Sequence, residues 1–189
     1  MSRQRKRRTV LTYVDTLLDR AERNVPTGPG APNRADLSRS VSDAYYAIFH
    51  YVGDQIATQL LGASDESSRR AGRYVLARSP AHNSLASAMS TLRSGPLRGR
   101  LVAGLDRSGG ALPAIPVEAS DLARVFLETQ QLRYAADYDW THAFRKEEVV
   151  RAIENVRSAV AAFDDLDPNG LGRQWFLAAA AVWDGLRLR

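Results

Sequence analysis

The chain has 189 residues, 44% of them hydrophobic and 25% charged, which suits a folded body with a sizeable core and excludes a chain that is disordered throughout. It has no cysteine, which excludes disulfides and thiolate zinc sites, and no apolar run long enough to span a bilayer. The formal net charge is +5. Arg3, Arg5, Lys6, Arg7 and Arg8 supply five positive charges, and removing them from that total leaves the rest of the chain neutral. The basic excess is therefore a terminal arm, residues 1–8, expected to be disordered. It either attracts phosphate backbones by electrostatics or acts as a solubilising end.

After the arm, TVLTYVDTLLDRAERN predicts a helix over Thr9–Asn24, with Val10, Val14, Leu17, Leu18 and Ala21 on one face. Asp15 interrupts the apolar core that a signal peptide needs, so a cytoplasmic location without a membrane anchor is expected. VPTGPGAPN, from Val25 to Asn33, breaks the helix with three prolines and two glycines.

The next stretch organises the chain. From Asn33 to Gly62 apolar residues fall at Leu37, Val41, Ala44, Tyr45, Ile48, Val52, Ile56 and Leu60, the three-and-four spacing of a long amphipathic helix. Asn33 can cap its first turn, and Gly62 can end it. At about 100° per residue, Arg39, Asp43, Tyr46, His50 and Asp54 fall in a stripe roughly 80° wide, opposite the apolar face. A cation, an acid, a phenol and an imidazole one turn apart can act on a phosphate-bearing ligand. They can equally form an ordinary ion pair, Arg39 with Asp43, beside a structural histidine.

Ser68–Arg78 predicts a short basic helix with Arg69, Arg70, Arg73 and Arg78. Ser79-Pro80 stops it, and Ser84–Leu92 predicts another short helix. Residues 94–117 are rich in Gly and Pro and carry Arg98, Arg100 and Arg107. They are expected to be irregular, either a basic flap or a disordered loop. Ser120–Ala136 predicts a helix with Leu122, Val125, Phe126, Thr129, Leu132 and Ala136 inward. A further helix runs from about Ala143 to Leu166, with Val149, Ile153, Val156, Val160 and Phe163 as its stripe. Asp167-Pro168-Asn169-Gly170 is a strong stop, and Arg173–Leu186 predicts a last helix. No segment alternates with period two. The expected fold is all-α, an antiparallel helical bundle of about four long helices plus short peripheral ones, with residues 9–189 a single domain.

No phosphate loop, dinucleotide fingerprint, HExxH or GxSxG occurs, and three scattered histidines without cysteine give no transition-metal site, so neither metal nor cofactor is expected. Two segments carry a more specific signal. Ser38–His50 reads SRSVSDAYYAIFH. Leu132–Asp139 reads LRYAADYD and is followed by the helical AIENVRSAVAAF. Together they resemble the small prokaryotic branch of the HEPN superfamily, over roughly Thr9–Leu166. The Ala81-His82-Asn83 turn is a looser match.

The resemblance implies a helical bundle that forms a homodimer, binds RNA, and belongs to toxin–antitoxin, abortive-infection or CRISPR-linked systems, with an antitoxin or another defence-system protein as partner. It also implies metal-independent endoribonuclease chemistry from an Arg placed four to six residues before a His. His50 would be the acid or base on the ribose 2′-hydroxyl and Arg39 the phosphate contact. Asp43 would orient one of them, and Tyr46 would add a hydroxyl. The sequence departs from this pattern at one position, because Asp43, with six residues between it and His50, stands where the branch has its arginine. A second Arg–His pair, Arg78 and His82, has one residue too few between its members, with Pro80 inside it, and is assigned to RNA binding together with the arm. The alternative to a nuclease is a non-catalytic adaptor or partner-binding module. Arg133, Asp137 and Tyr138 are expected to be structural: Arg133 pairs with Asp137 one turn on, and the group receives Tyr45 or Tyr46.

Overall fold

The computed structural model describes residues 8–26, 33–64, 66–93 and 113–183. The arm residues Arg3, Arg5, Lys6 and Arg7 lie outside them, as do Arg98, Arg100 and Arg107 of the irregular stretch. The described residues form an all-α bundle of seven helices. These are α1 (Arg8–Asn24), α2 (Arg34–Leu61), α3 (Ser67–Ala77), α4 (His82–Leu92), α5 (Val117–Tyr138), α6 (Lys146–Asp165) and α7 (Leu171–Ala181). No strand occurs among the described residues.

The helix ends follow local chemistry. The Asn33 side-chain oxygen accepts the Ala35 backbone N–H at 3.0 Å, which satisfies a donor that the first turn of α2 leaves over. At the other end Gly62 has φ +72°, the left-handed conformation that glycine enters without a Cβ clash. The stop after α6 is an Asp167 turn: its carboxylate accepts the Asn169 N–H at 3.0 Å, and its carbonyl accepts the Gly170 N–H at 2.9 Å.

The helices divide between two compact units. The first takes α1, α2 as far as Val52, α5 from Val125 and α6 as far as Ala161. Tyr45, Phe49 and Phe126 meet at its centre, with ring centroids 5.7 to 6.4 Å apart. Val14, Leu17, Leu18 and Ala21 of α1 are buried, as are Val149, Ile153, Val156 and Val160 of α6. Burying each large apolar side chain contributes about 1.5–3 kcal/mol. On the surface, Arg157 of α6 reaches Asp19 at 3.1 Å and Glu22 at 2.8 Å on α1. The hydrogen bond from Arg157 to Glu22 is the main cause that raises its pKa.

The second unit takes Gly53–Arg124 and Ala162–Arg189. Leu85, Ala88, Met89 and Leu92 of α4 are buried there, with Phe176 and Leu177 of α7. The Trp183 indole donates to Ser87 Oγ at 2.9 Å, and the Arg173 guanidinium sits 4.9 Å from the Phe163 ring while donating to Gln55 at 2.6 Å.

Leu60, expected on the apolar face, is about half exposed at the end of α2, as is Val182 just past the end of α7. The last helix gives way at Ala181, and the residues beyond 183 lie outside the described ones.

Candidate functional site

Helix α2 carries the candidate site and is more deeply buried than its sequence pattern suggests. From Ser40 to Gly53 only Ser42, Tyr46 and His50 escape full burial. A helix with neighbours on all sides loses the two-faced character of a surface helix. Its polar stripe is therefore not simply wetted, because α1 lies against it.

The pairing is regular. Tyr13 of α1 meets His50 edge-on, ring centroids 5.5 Å apart, and seven residues later in α1 Arg20 meets Asp43, seven residues earlier in α2. Two turns on one helix match two turns on the other, which is the register of an antiparallel pair. Arg20 holds Asp43 in a fork: Nε donates to Oδ2 at 2.7 Å and Nη2 donates to Oδ1. Asn24 Nδ2 approaches Oδ2 at 3.5 Å. Asp43 is 4% exposed, while half of the Arg20 side chain faces solvent. The hydrogen bond to Asp43 raises the Arg20 pKa above its ordinary value. Asp43 is thus tied to α1, not to Arg39, which is exposed one turn earlier on α2.

His50 is half-buried. It stacks on Tyr46, centroids 6.1 Å apart and rings 25° from parallel, and meets Phe49 edge-on. Two phenols therefore flank one imidazole. Arg39 lies eleven residues before His50. That is about 16 Å of helix rise, too far for both side chains of one copy to reach the same phosphate. Asp54, the last member of the stripe, belongs to the second unit, where burial raises its pKa against the opposing pull of Arg73 and a Thr58 hydrogen bond.

Behind Tyr45 and Tyr46 stands Arg133 of α5, its guanidinium carbon 5.4 Å from each ring. Arg133 Nε lies 2.9 Å from Asp137 Oδ2. That buried N–H makes no hydrogen bond, so the contact is a charge pair seen off-axis. Asp137 also accepts a long hydrogen bond from Ser42 of α2, at 3.4 Å. Burial pushes the Tyr45 hydroxyl well above the ordinary phenol pKa, so it stays neutral. Tyr138 is exposed, 6.1 Å from Tyr134.

Beside it the start of α2 and the end of α5 form a cleft of about 380 Å³, lined by Arg34, Ser38, Asp137, Asp139 and Trp140. Arg34 closes its rim by donating to the Trp140 and Asp139 carbonyls at 2.5 and 2.7 Å. Asp139 also caps the following turn, and its hydrogen bonds from Thr141 lower its pKa.

In the second unit Arg78 stacks over Tyr74 at 4.3 Å, while His82 begins α4 half-buried. Arg8 begins α1. Among the described residues no three His, Asp or Glu side chains converge as a metal site, and no helix is long and apolar enough to cross a membrane.

Sequence reasoning missed Tyr13 and Arg20. Their only signal was a seven-residue spacing equal to that of Asp43 and His50, which gains meaning once α1 and α2 are known to run antiparallel. No family model, curated protein or solved structure matches this chain.

Proposed function

We propose that the chain is an HEPN-type RNA-binding module that does not itself cleave RNA, and that works as a homodimeric adaptor in a toxin–antitoxin or defence system. One observation carries the choice between adaptor and nuclease: the Arg20–Asp43 fork. The position where the HEPN pattern calls for a free arginine holds a buried carboxylate. The guanidinium nearest to it is spent on that carboxylate, so neither group can meet a developing phosphate charge. RNA binding is supported by charge. The arm concentrates five cations, and each phosphate contact adds about 0.7 to 0.9 to the slope of log affinity against log salt.

A second reading, a metal-independent endoribonuclease, is favoured by the half-buried His50 between two phenols. Since Arg39 of the same copy is out of reach, that reading requires Arg39 of a second copy across a two-fold axis. One experiment separates the two. Purified wild type and His50→Ala are incubated with labelled structured RNA and EDTA while binding is followed in parallel. The adaptor reading expects binding by both and scission by neither. Scission by wild type that His50→Ala abolishes would replace it with the nuclease, and light scattering at tens of micromolar would then have to show a dimer.

A further inference from the structure

Helix α3 is the one described helix that buries none of its residues. It is held by close approach at two glycines and by two arginines. A Cβ on Gly53 of α2 would lie 2.4 Å from the Ala77 carbonyl oxygen, and one on Gly72 would lie 2.8 Å from Leu61. Arg73 donates to the Gly62 and Ser64 carbonyls, each at 2.7 Å, and Arg69 donates to the Leu61 carbonyl at 3.3 Å while pairing with Glu66. Those two cations cap the end of α2.

Among the exposed residues, which include Val75 at 64%, one row stands out. Arg70, Tyr74 and Arg78 lie one turn apart, spanning about 12 Å, with no acidic residue within α3. Arg70 and Arg78 are exposed, Tyr74 is 60% exposed, and the Arg78 guanidinium covers part of its ring at 4.3 Å. Arg70 stands in the first turn, where the helix dipole disfavours a cation, so its placement does nothing for the helix. An exposed aromatic between two cations, on a helix that buries none of its residues, matches the stacking platforms that hold single-stranded nucleic acid.

We propose that the Arg70–Tyr74–Arg78 row is a binding track for single-stranded RNA: Arg70 and Arg78 contact phosphates, and a base stacks on the Tyr74–Arg78 pair. The track rests on the RNA-binding reading above and adds a second set of contacts to those of the arm.

The test uses the full chain and a fluorescein-labelled oligouridine of about 12 nucleotides, titrated by anisotropy at several salt concentrations. Arg70→Gln with Arg78→Gln lowers the magnitude of the salt slope by about 1.4, two contacts at about 0.7 each for a single strand. Tyr74→Ala weakens binding by about tenfold at unchanged slope, and Tyr74→Phe restores it. Melting temperatures stay at the wild-type value, since the three side chains are exposed. Wild-type affinity and slope in all of these variants, with binding lost when the five arm cations become Gln, would overturn the track and leave the RNA reading standing. No binding by wild type overturns both. Duplex RNA that competes as well as the single strand overturns the stacking role.

Discussion

Replacing Arg20 by Ala tests the physical claim on which the candidate site rests. Asp43 is 4% exposed and its two oxygens are held by one guanidinium. Removing one partner of a fully buried pair costs about 3–5 kcal/mol. The cost here is lower, because half of the Arg20 side chain already faces solvent, so water can enter where it stood, and Asn24 remains 3.5 Å from the carboxylate. We expect a loss of about 2 kcal/mol, close to that of one charge-assisted hydrogen bond pair. For a chain of this size that lowers Tm by roughly 4–8 °C. Arg20→Lys keeps the charge but loses the fork, and recovers about half. Asp43→Asn added to Arg20→Ala recovers about 1 kcal/mol, since a neutral amide is cheaper to bury than an unpaired carboxylate. Urea titrations at pH 7, followed by circular dichroism, give all four values with a common slope. The Arg20 pKa is raised, so its stabilisation is present at every pH below the ordinary arginine range and is lost only on deprotonation above it. No slope from Arg20 is therefore expected between pH 5 and 9. A loss below about 0.5 kcal/mol for Arg20→Ala, or no recovery in the double variant, would refute the reasoning and return Asp43 to the status of a wetted surface acid.

Gly53→Ala pushes a Cβ to within 2.4 Å of the Ala77 carbonyl oxygen, so α3 must shift, and a loss of about 1–3 kcal/mol is expected in the same urea assay. Asp54 is held above the ordinary carboxylate range by burial, so the stability tied to its neutral form is full below the unfolded pKa and is lost as pH rises through the folded one. Asp54→Asn should consequently gain on wild type between pH 4 and 7 in thermal melts, and an unchanged difference across that window would contradict the shift. Arg133→Gln removes three ring contacts and the Asp137 pair, and should cost about 2 kcal/mol. Asp137→Ala leaves all three rings covered and should cost under about 1 kcal/mol, so equal losses in chemical denaturation would assign the effect to the charge pair alone.

The helices were legible because their signals are local. Period and punctuation placed α2 between Asn33 and Gly62, one residue beyond the observed Arg34–Leu61 at each end, since an Asn cap and a left-handed Gly act within their own turn. The stripe on α6, from Val149 to Phe163, was likewise legible, because every turn of a one-sided helix repeats the same choice. What α2 packs against was not legible. Its polar stripe reads the same whether water, a second copy or α1 covers it, and a 3.6-residue period carries no information about the partner. Only the tertiary structure brought Arg20 to Asp43 and Tyr13 to His50, across 23 residues of sequence in the first case. Arg133 at Tyr45 and Tyr46 was within reach of sequence reasoning, because a cation one turn before an acid was already marked as the receiver for α2. The fate of Asp43 was not, because the energy of a buried charge depends on which opposite charge the fold delivers to it, and that is a property of packing between elements.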